Sequence, residues 1–270
     1  MDLWSGVAIA GAGAAAGLVN AVVGSGTLIT FPTLLAFGYP PVTANVSNNI
    51  GLVLGGVSGS WGYRRELTGQ RRRLLRMAPL SALGSVMGAL LLLRLPADAF
   101  EAIVPVLIAV AVVLVLLQPR INRAVAAQRA RAAAARGEAP PDGGDPGASG
   151  PVARLVLGGG VLIAGMYGGY FGAAQGVLLI GIMGPLLPES LQTVNGIKNV
   201  LSLVVNAVAA AVFTVVAFDR VDWTVVLLIS VGSLFGGMFG AALGRRLHPV
   251  VLRSVIAVVG VVAIARLLLS

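Results

Sequence analysis

Apolar residues in this chain come in long runs separated by short polar breaks. Eight such runs stand near 6–37, 42–63, 77–94, 99–118, 152–187, 190–217, 222–244 and 249–269. Runs two, three, four, six, seven and eight have the length, about 20 residues, that one helical crossing of a bilayer needs. Runs one and five are longer. A helix rising about 1.5 Å per residue would overshoot the membrane if it continued through either of them. Each carries small residues at mid-course, Gly24-Ser25-Gly26 in one and Ala174-Gln175-Gly176 in the other, and glycine lets a chain turn sharply. A broken helix or a re-entrant hairpin is expected in each. The alternative is one long tilted helix whose glycines serve close packing.

The first half of this pattern recurs in the second. At a single offset of about 150 residues, Gly26 meets Gly176, Leu28 meets Leu178, Thr43 meets Thr193, Asn45 meets Asn195 and Asn49 meets Asn199. A second echo, two residues out of step, links Gly84-x-x-x-Gly88 to Gly236-x-x-x-Gly240. One module is used twice. The expected fold is therefore an all-α polytopic membrane protein of about eight segments in two homologous four-segment repeats, residues 1–118 and 152–270. Between them, 119–151 reads as a basic, alanine-rich piece of helix-forming composition followed by a flexible Pro/Gly-rich linker.

Composition agrees with a membrane address. Only 11% of residues are charged, against about 25% in ordinary soluble domains, and the mean hydropathy is +0.93. The start, Met1-Asp2-Leu3-Trp4, lacks a basic n-region, so no cleaved signal peptide is expected. Zero cysteines exclude disulfides, thiolate nucleophiles and sulfur-ligated metal, and the single His248 cannot build a metal site unaided. No metal or cofactor is expected. The net charge of +9 does not point to nucleic acid, because the arginines cluster between apolar spans, where they bias topology.

Arg64, Arg65, Arg71, Arg72, Arg73 and Arg76 separate runs two and three, which places that loop, and the 119–151 linker, on the cytoplasmic side. The matching connection in the second half, Phe218-Asp219-Arg220-Val221-Asp222, is net acidic, and the next, Arg245-Arg246-Leu247-His248-Pro249, is basic. If runs one and five leave on the side they enter, each repeat has three full crossings and the second lies upside-down, with Arg245 and Arg246 inside. Positive-inside bias favours that inverted arrangement over a parallel one.

The glycine-rich first run with its Phe31-Pro32 pair, the Pro40-Pro41-Val42-Thr43-Ala44-Asn45 entry to run two, the basic loop behind it and the Gly-x-x-x-Gly third run resemble the sulfite exporter TauE/SafE family. The likeness covers both halves outside 119–150. It implies a secondary transporter of the cytoplasmic (inner) membrane for a small anion such as sulfite, sulfoacetate or another organosulfonate. The family's first motif is typically richer in glycine. Here Thr27 follows Gly24-Ser25-Gly26, and the second copy has Ala174-Gln175-Gly176.

Polar residues within the apolar runs are few, and an amide without a partner in hydrocarbon costs several kcal/mol. They must therefore meet each other, backbone or a solvated cavity. Broken segments of inverted repeats meet near the midplane, where helix N-termini suit an anion. The candidate substrate-binding set is Gly24, Ser25, Gly26, Thr27, Asn45, Asn48 and Asn49 from the first copy, with Gln175, Gly176, Asn195, Lys198 and Asn199 from the second. Helix capping and interhelical bonding are the competing roles for the asparagines, above all Asn45 and Asn195 near helix starts.

Lys198 is the one lysine beside 18 arginines. It lies two turns inside run six, and an ionisable group at such depth is a functional hypothesis by default. It could attract the anion or, since buried lysine can lose its proton, couple transport to protons; the competing role is snorkelling to the interface. Glu189, beside Pro188, is expected in the first turn of run six. The Gly84/Gly88 and Gly236/Gly240/Gly244 rows suit close packing within the chain, or alternatively a homodimer.

Two other classes stay open. A passive anion channel would show flux without saturation or exchange. Lys198 and Ser202, four apart on one helix face, could form a Ser–Lys hydrolase pair.

Overall fold

The computed structural model describes residues 2–136, 151–243 and 249–269. Among them run ten α-helices: α1 (Leu3–Val22), α2 (Thr27–Ala36), α3 (Pro41–Gly62), α4 (Arg71–Arg94), α5 (Ala97–Arg136), α6 (Pro151–Tyr170), α7 (Gln175–Leu186), α8 (Leu191–Val216), α9 (Trp223–Leu243) and α10 (Pro249–Leu269). One 3-10 turn at Phe218–Arg220 precedes α9. The Pro/Gly-rich part of the expected linker, 138–150, and the basic connection at 245–248 lie outside the described residues.

Both long runs break where their glycines stand. Between α1 and α2, Gly24 takes φ +84°; between α6 and α7, Gly172 takes φ +80° and Ala174 φ +61°. Eight apolar runs therefore make ten helices. Two boundaries differ from the sequence reading. The third run opens six residues early, so Arg71 to Arg76 form the first turns of α4 and not a loop. The alanine-rich basic stretch after Pro119 continues α5 to Arg136.

Among the described residues six helices are long and apolar enough to cross a membrane: α1, α4, α5, α6, α8 and α9. With 22 residues, α3 is longer than α1, α6 and α9, but Asn45, Ser47, Asn48 and Asn49 lower its apolarity, and all four are buried. Its neighbours α1, α8 and α9 shelter that polar face from lipid.

Close glycine contacts fix the helix directions. Gly13 packs on Ile229, Gly17 on Ser233 and Gly240 on Leu18, so α1 and α9 run parallel. Gly51 and Gly55 meet Ile229 and Ser233, which sets α3 parallel to α9 as well. In the other group, Gly84 lies against Leu162 and Met166, and Gly169 against Ser85, making α4 and α6 parallel. Met77 clusters with Val194 and Ile197, and Ser85 Oγ donates to Val205 O at 2.7 Å, so α8 joins them. Between the groups the sense reverses: Gly56 meets Leu203 while Gly196 meets Tyr63. Helices α1, α3 and α9 thus run one way and α4, α6 and α8 the other.

The contacts are reciprocal. As α1 packs on α9, α6 packs on α4; α3 lies on α9 as α8 lies on α4, and α2 on α10 as α7 on α5. The Gly84/Gly88 and Gly236/Gly240 rows are spent on these contacts within the chain, against α6 and α1 respectively. Because α3 starts at the end from which α1 started, the short α2 must double back, and by the same reasoning α7 doubles back from α6.

Charge separates the two ends. Arg64, Arg65, the first turns of α4, Arg120 and Arg123 of α5 and Arg154 of α6 gather at one end. There Arg73 Nη1 meets Glu189 Oε1 at 2.7 Å. Glu189 stands just before the N-cap Ser190, outside the first turn of α8 where it was expected; Ser190 Oγ caps the helix by accepting from Thr193 N at 3.1 Å. Asp98, Glu101, Asp219 and Asp222, with Arg94 and Arg220, mark the opposite end.

Candidate functional site

The two breaks touch. Gly176 N donates to Gly24 O at 3.1 Å, and a Cβ on Gly24 would stand 2.5 Å from Gly176 Cα. No side chain larger than hydrogen fits on either residue without moving backbone. Phe31 of α2 and Phe171 of the second break close one flank edge to face, their ring centroids 5.2 Å apart.

Each break opens a short helix whose first turn has no side-chain cap: Gly26 stands at the N-cap of α2 and Ala174 at that of α7. Ser25 and Gln175, the same position in the two copies, are buried at 0% and 3% exposure. Ser25 Oγ and Gln175 Nε2 have no hydrogen-bond partner among the described residues. Each adjoins one partner of the Gly24–Gly176 contact in the chain, at the positive end of a helix dipole, and the Gln175 amide lies against Gly168 of α6.

The carbonyl ends of the preceding helices are filled from across the molecule. Lys198, fully buried, donates from Nζ to Asn20 O at 3.3 Å and Ala21 O at 3.4 Å. Asn199 Nδ2 donates to Ala21 O at 3.2 Å. In return, Asn45 Nδ2 of the first half donates to Tyr170 O, the last residue of α6, at 2.9 Å. The Lys198 stem passes so near Gly176 that a Cβ there would stand 2.9 Å from Lys198 Cδ. Lysine near the last turn of a helix complements its negative dipole end, and this one does so without reaching the interface. No other charged side chain occurs in α1, α2, α3, α7 or α8.

The remaining candidates divide. Asn48 donates to Thr27 Oγ1 at 3.4 Å and accepts from Thr30 Oγ1, tying α3 to the start of α2. Asn49 is buried with Oδ1 unpartnered. Asn195 is turned to the end of α3, where its Nδ2 donates to Tyr63 Oη at 3.0 Å, and it does not join the breaks. Neither Asn45 nor Asn195 caps a helix; Pro40 and Ser190 hold those positions.

Sequence reasoning missed Gln118, which is 3% exposed and whose Nε2 donates to Val23 O at 3.4 Å. It closes an apolar run beside Pro119 and so reads as a boundary residue. Ser85 and Ser233 were also missed. Ser85 bonds Val205 O, and Ser233 Oγ donates to Gly51 O at 3.0 Å. Their place beside packed glycines was the available signal. A surface cavity of about 530 Å³, lined by Gly69, Arg71, Arg72, Leu75 and Arg76, lies at the basic end.

The family profile described as Sulfite exporter TauE/SafE matches residues 9–267. The chain belongs to that family. "Probable membrane transporter protein ORF9" of Sinorhizobium sp. is 26% identical over 253 residues, 94% of this chain and 88% of that protein. "Probable membrane transporter protein YfcA" of Escherichia coli K12 is 26% identical over 254 residues, covering 94% and 86%. A "Probable membrane transporter protein" of Haemophilus influenzae is 23% identical over 258 residues, covering 94% and 91%. No solved structure matches. As a TauE/SafE member with several membrane-spanning helices, the protein is a multi-pass membrane transporter.

Proposed function

We propose that this TauE/SafE member is a secondary transporter that moves a small anion, of the sulfite or organosulfonate class, by alternating access at the meeting point of its two breaks. The observation that carries the reading is the matched pair Ser25 and Gln175: buried, unpartnered, and each at the start of a short helix without a side-chain cap. A hydroxyl and an amide donor beside helix N-termini suit an oxyanion and lack the permanent charge that would trap it. Gly24, Gly26, Thr27 and Gly176 supply backbone and close approach; Asn45, Asn48, Asn49 and Asn199 hold the surrounding helices. Asn195, turned to Tyr63 at the end of α3, stands apart from that set.

In this reading the two halves, 1–118 and 152–270, are inverted repeats. Support comes from the reversed sense of α3 and α8 and the reciprocal contacts of α1 on α9 and α6 on α4. The basic end faces the cytoplasm of the inner membrane, where it would concentrate anions at the entrance. Lys198 supplies the positive charge inside the span and is the candidate for proton coupling. A Lys198→Arg protein that transports with unchanged pH dependence would remove the coupling role and leave attraction.

The direct test is flux into proteoliposomes with sulfite, thiosulfate, a panel of sulfonates and carboxylates as controls. Saturable uptake and counterflow with one sulfur oxyanion, lost in a Ser25→Ala/Gln175→Ala double variant, is the expected result. Flux linear in driving force would make the protein a channel, and no response to any anion would end the assignment. The hydrolase reading has little support: Ser202 Oγ has no hydrogen-bond partner among the described residues, while Lys198 Nζ donates to the carbonyls of α1.

A further inference from the structure

Helix ends that expose carbonyl oxygens inside a membrane are where secondary transporters hold small cations. The first break has such an end. Asn20 O and Ala21 O converge on one point; Val23 O and Gly24 O beyond them already accept from Gln118 Nε2 and Gly176 N, and the buried Gln118 Oε1 at this break has no hydrogen-bond partner among the described residues. What occupies the point of convergence is the Lys198 ammonium. No carboxylate occurs in α1, α2, α3, α7 or α8, so the oxygens that meet the ammonium are the Asn20 and Ala21 carbonyls, the kind of helix-end donor that holds an alkali cation.

We propose that Lys198 is a tethered monovalent cation. Its ammonium fills a site that the end of α1 would otherwise offer to a free ion. The wild-type break therefore needs no alkali cation, and removing the amine uncovers a site for Na⁺ or a small alkylammonium. The second break needs none, because the single Asn45 donor already serves Tyr170 O. The inference deepens the transporter reading by naming which ion the site does without. Its test does not require the transported solute, so the two can fail separately.

The experiment is thermal unfolding of the full chain in detergent, in N-methylglucamine chloride against NaCl and methylammonium chloride at equal ionic strength. Wild type should unfold at the same temperature in all three. Lys198→Ala should unfold lower in N-methylglucamine and regain about 3–5 °C, saturably, with Na⁺ or methylammonium. Lys198→Met, which fills the space with an apolar stem, should be destabilised equally in every salt. A folded Lys198→Ala protein indifferent to both cations would overturn the proposal. So would a Na⁺-dependent shift in wild type, a Lys198→Met protein as stable as wild type, or a Lys198→Ala protein that aggregates in every salt.

Discussion

The two breaks share one backbone plan and differ in how each is held. At equivalent positions Gly24 and Ala174 both take a left-handed conformation, φ +84° and +61°, although only the first has the residue that adopts it without strain. The first break ends a helix whose carbonyls receive a lysine, an asparagine, a glutamine and the N–H of Gly176. At the second, Tyr170 O receives the neutral Asn45 amide, and Gly172 adds another left-handed residue. Lys198 matches Asn48 at the repeat offset, and Asn48 turns instead to Thr27 and Thr30 of its own half. The turn is thus common to both breaks, while the charge stands at one of them.

The most severe way to break the comparison is to force the breaks apart. Gly176→Ala sets a Cβ 2.6 Å from Gly24 Cα and should cost about 2–3 kcal/mol. Gly24→Ala adds the left-handed penalty and should cost about 3–4 kcal/mol. Both losses would be read as lowered unfolding temperature in detergent, and equal values would mean the φ at Gly24 carries no strain. Removing the charge comes next. Lys198→Met leaves Asn20 O without its donor and should cost about 2–3 kcal/mol.

Its neutral counterpart is milder. Asn45→Leu orphans Tyr170 O alone and should cost about 1 kcal/mol, in keeping with interhelical hydrogen bonds within membranes. Finding Asn45 the more costly of the two would reverse the asymmetry drawn here. Smallest, and opposite in sign, is Ala174→Gly, which relieves a left-handed alanine at some cost in chain entropy. It should stabilise by about 0.5 kcal/mol, and a destabilised variant would show that the Ala174 methyl group packs better than its backbone is strained.

Much of the architecture was legible in the sequence because the membrane limits the options. Hydrocarbon demands helices, so the apolar runs located them, and overlong runs with central glycines marked the breaks. Repetition at a fixed offset pointed to a doubled module, and one lysine among arginines drew the eye to Lys198, which is buried against the end of α1. Pairing lay beyond reach. Asn45, Asn195 and Lys198 were identifiable as polar groups needing partners, but their partners are a backbone carbonyl of α6, the Tyr63 hydroxyl and the end of α1, each more than 100 residues away. Backbone carbonyls are the same in every residue, so no sequence pattern tells which will be left open at a helix end. Gln118 and the direction in which α2 doubles back were settled only when the halves packed, since the chain's own composition holds run length and polarity while the choice of partner belongs to the fold.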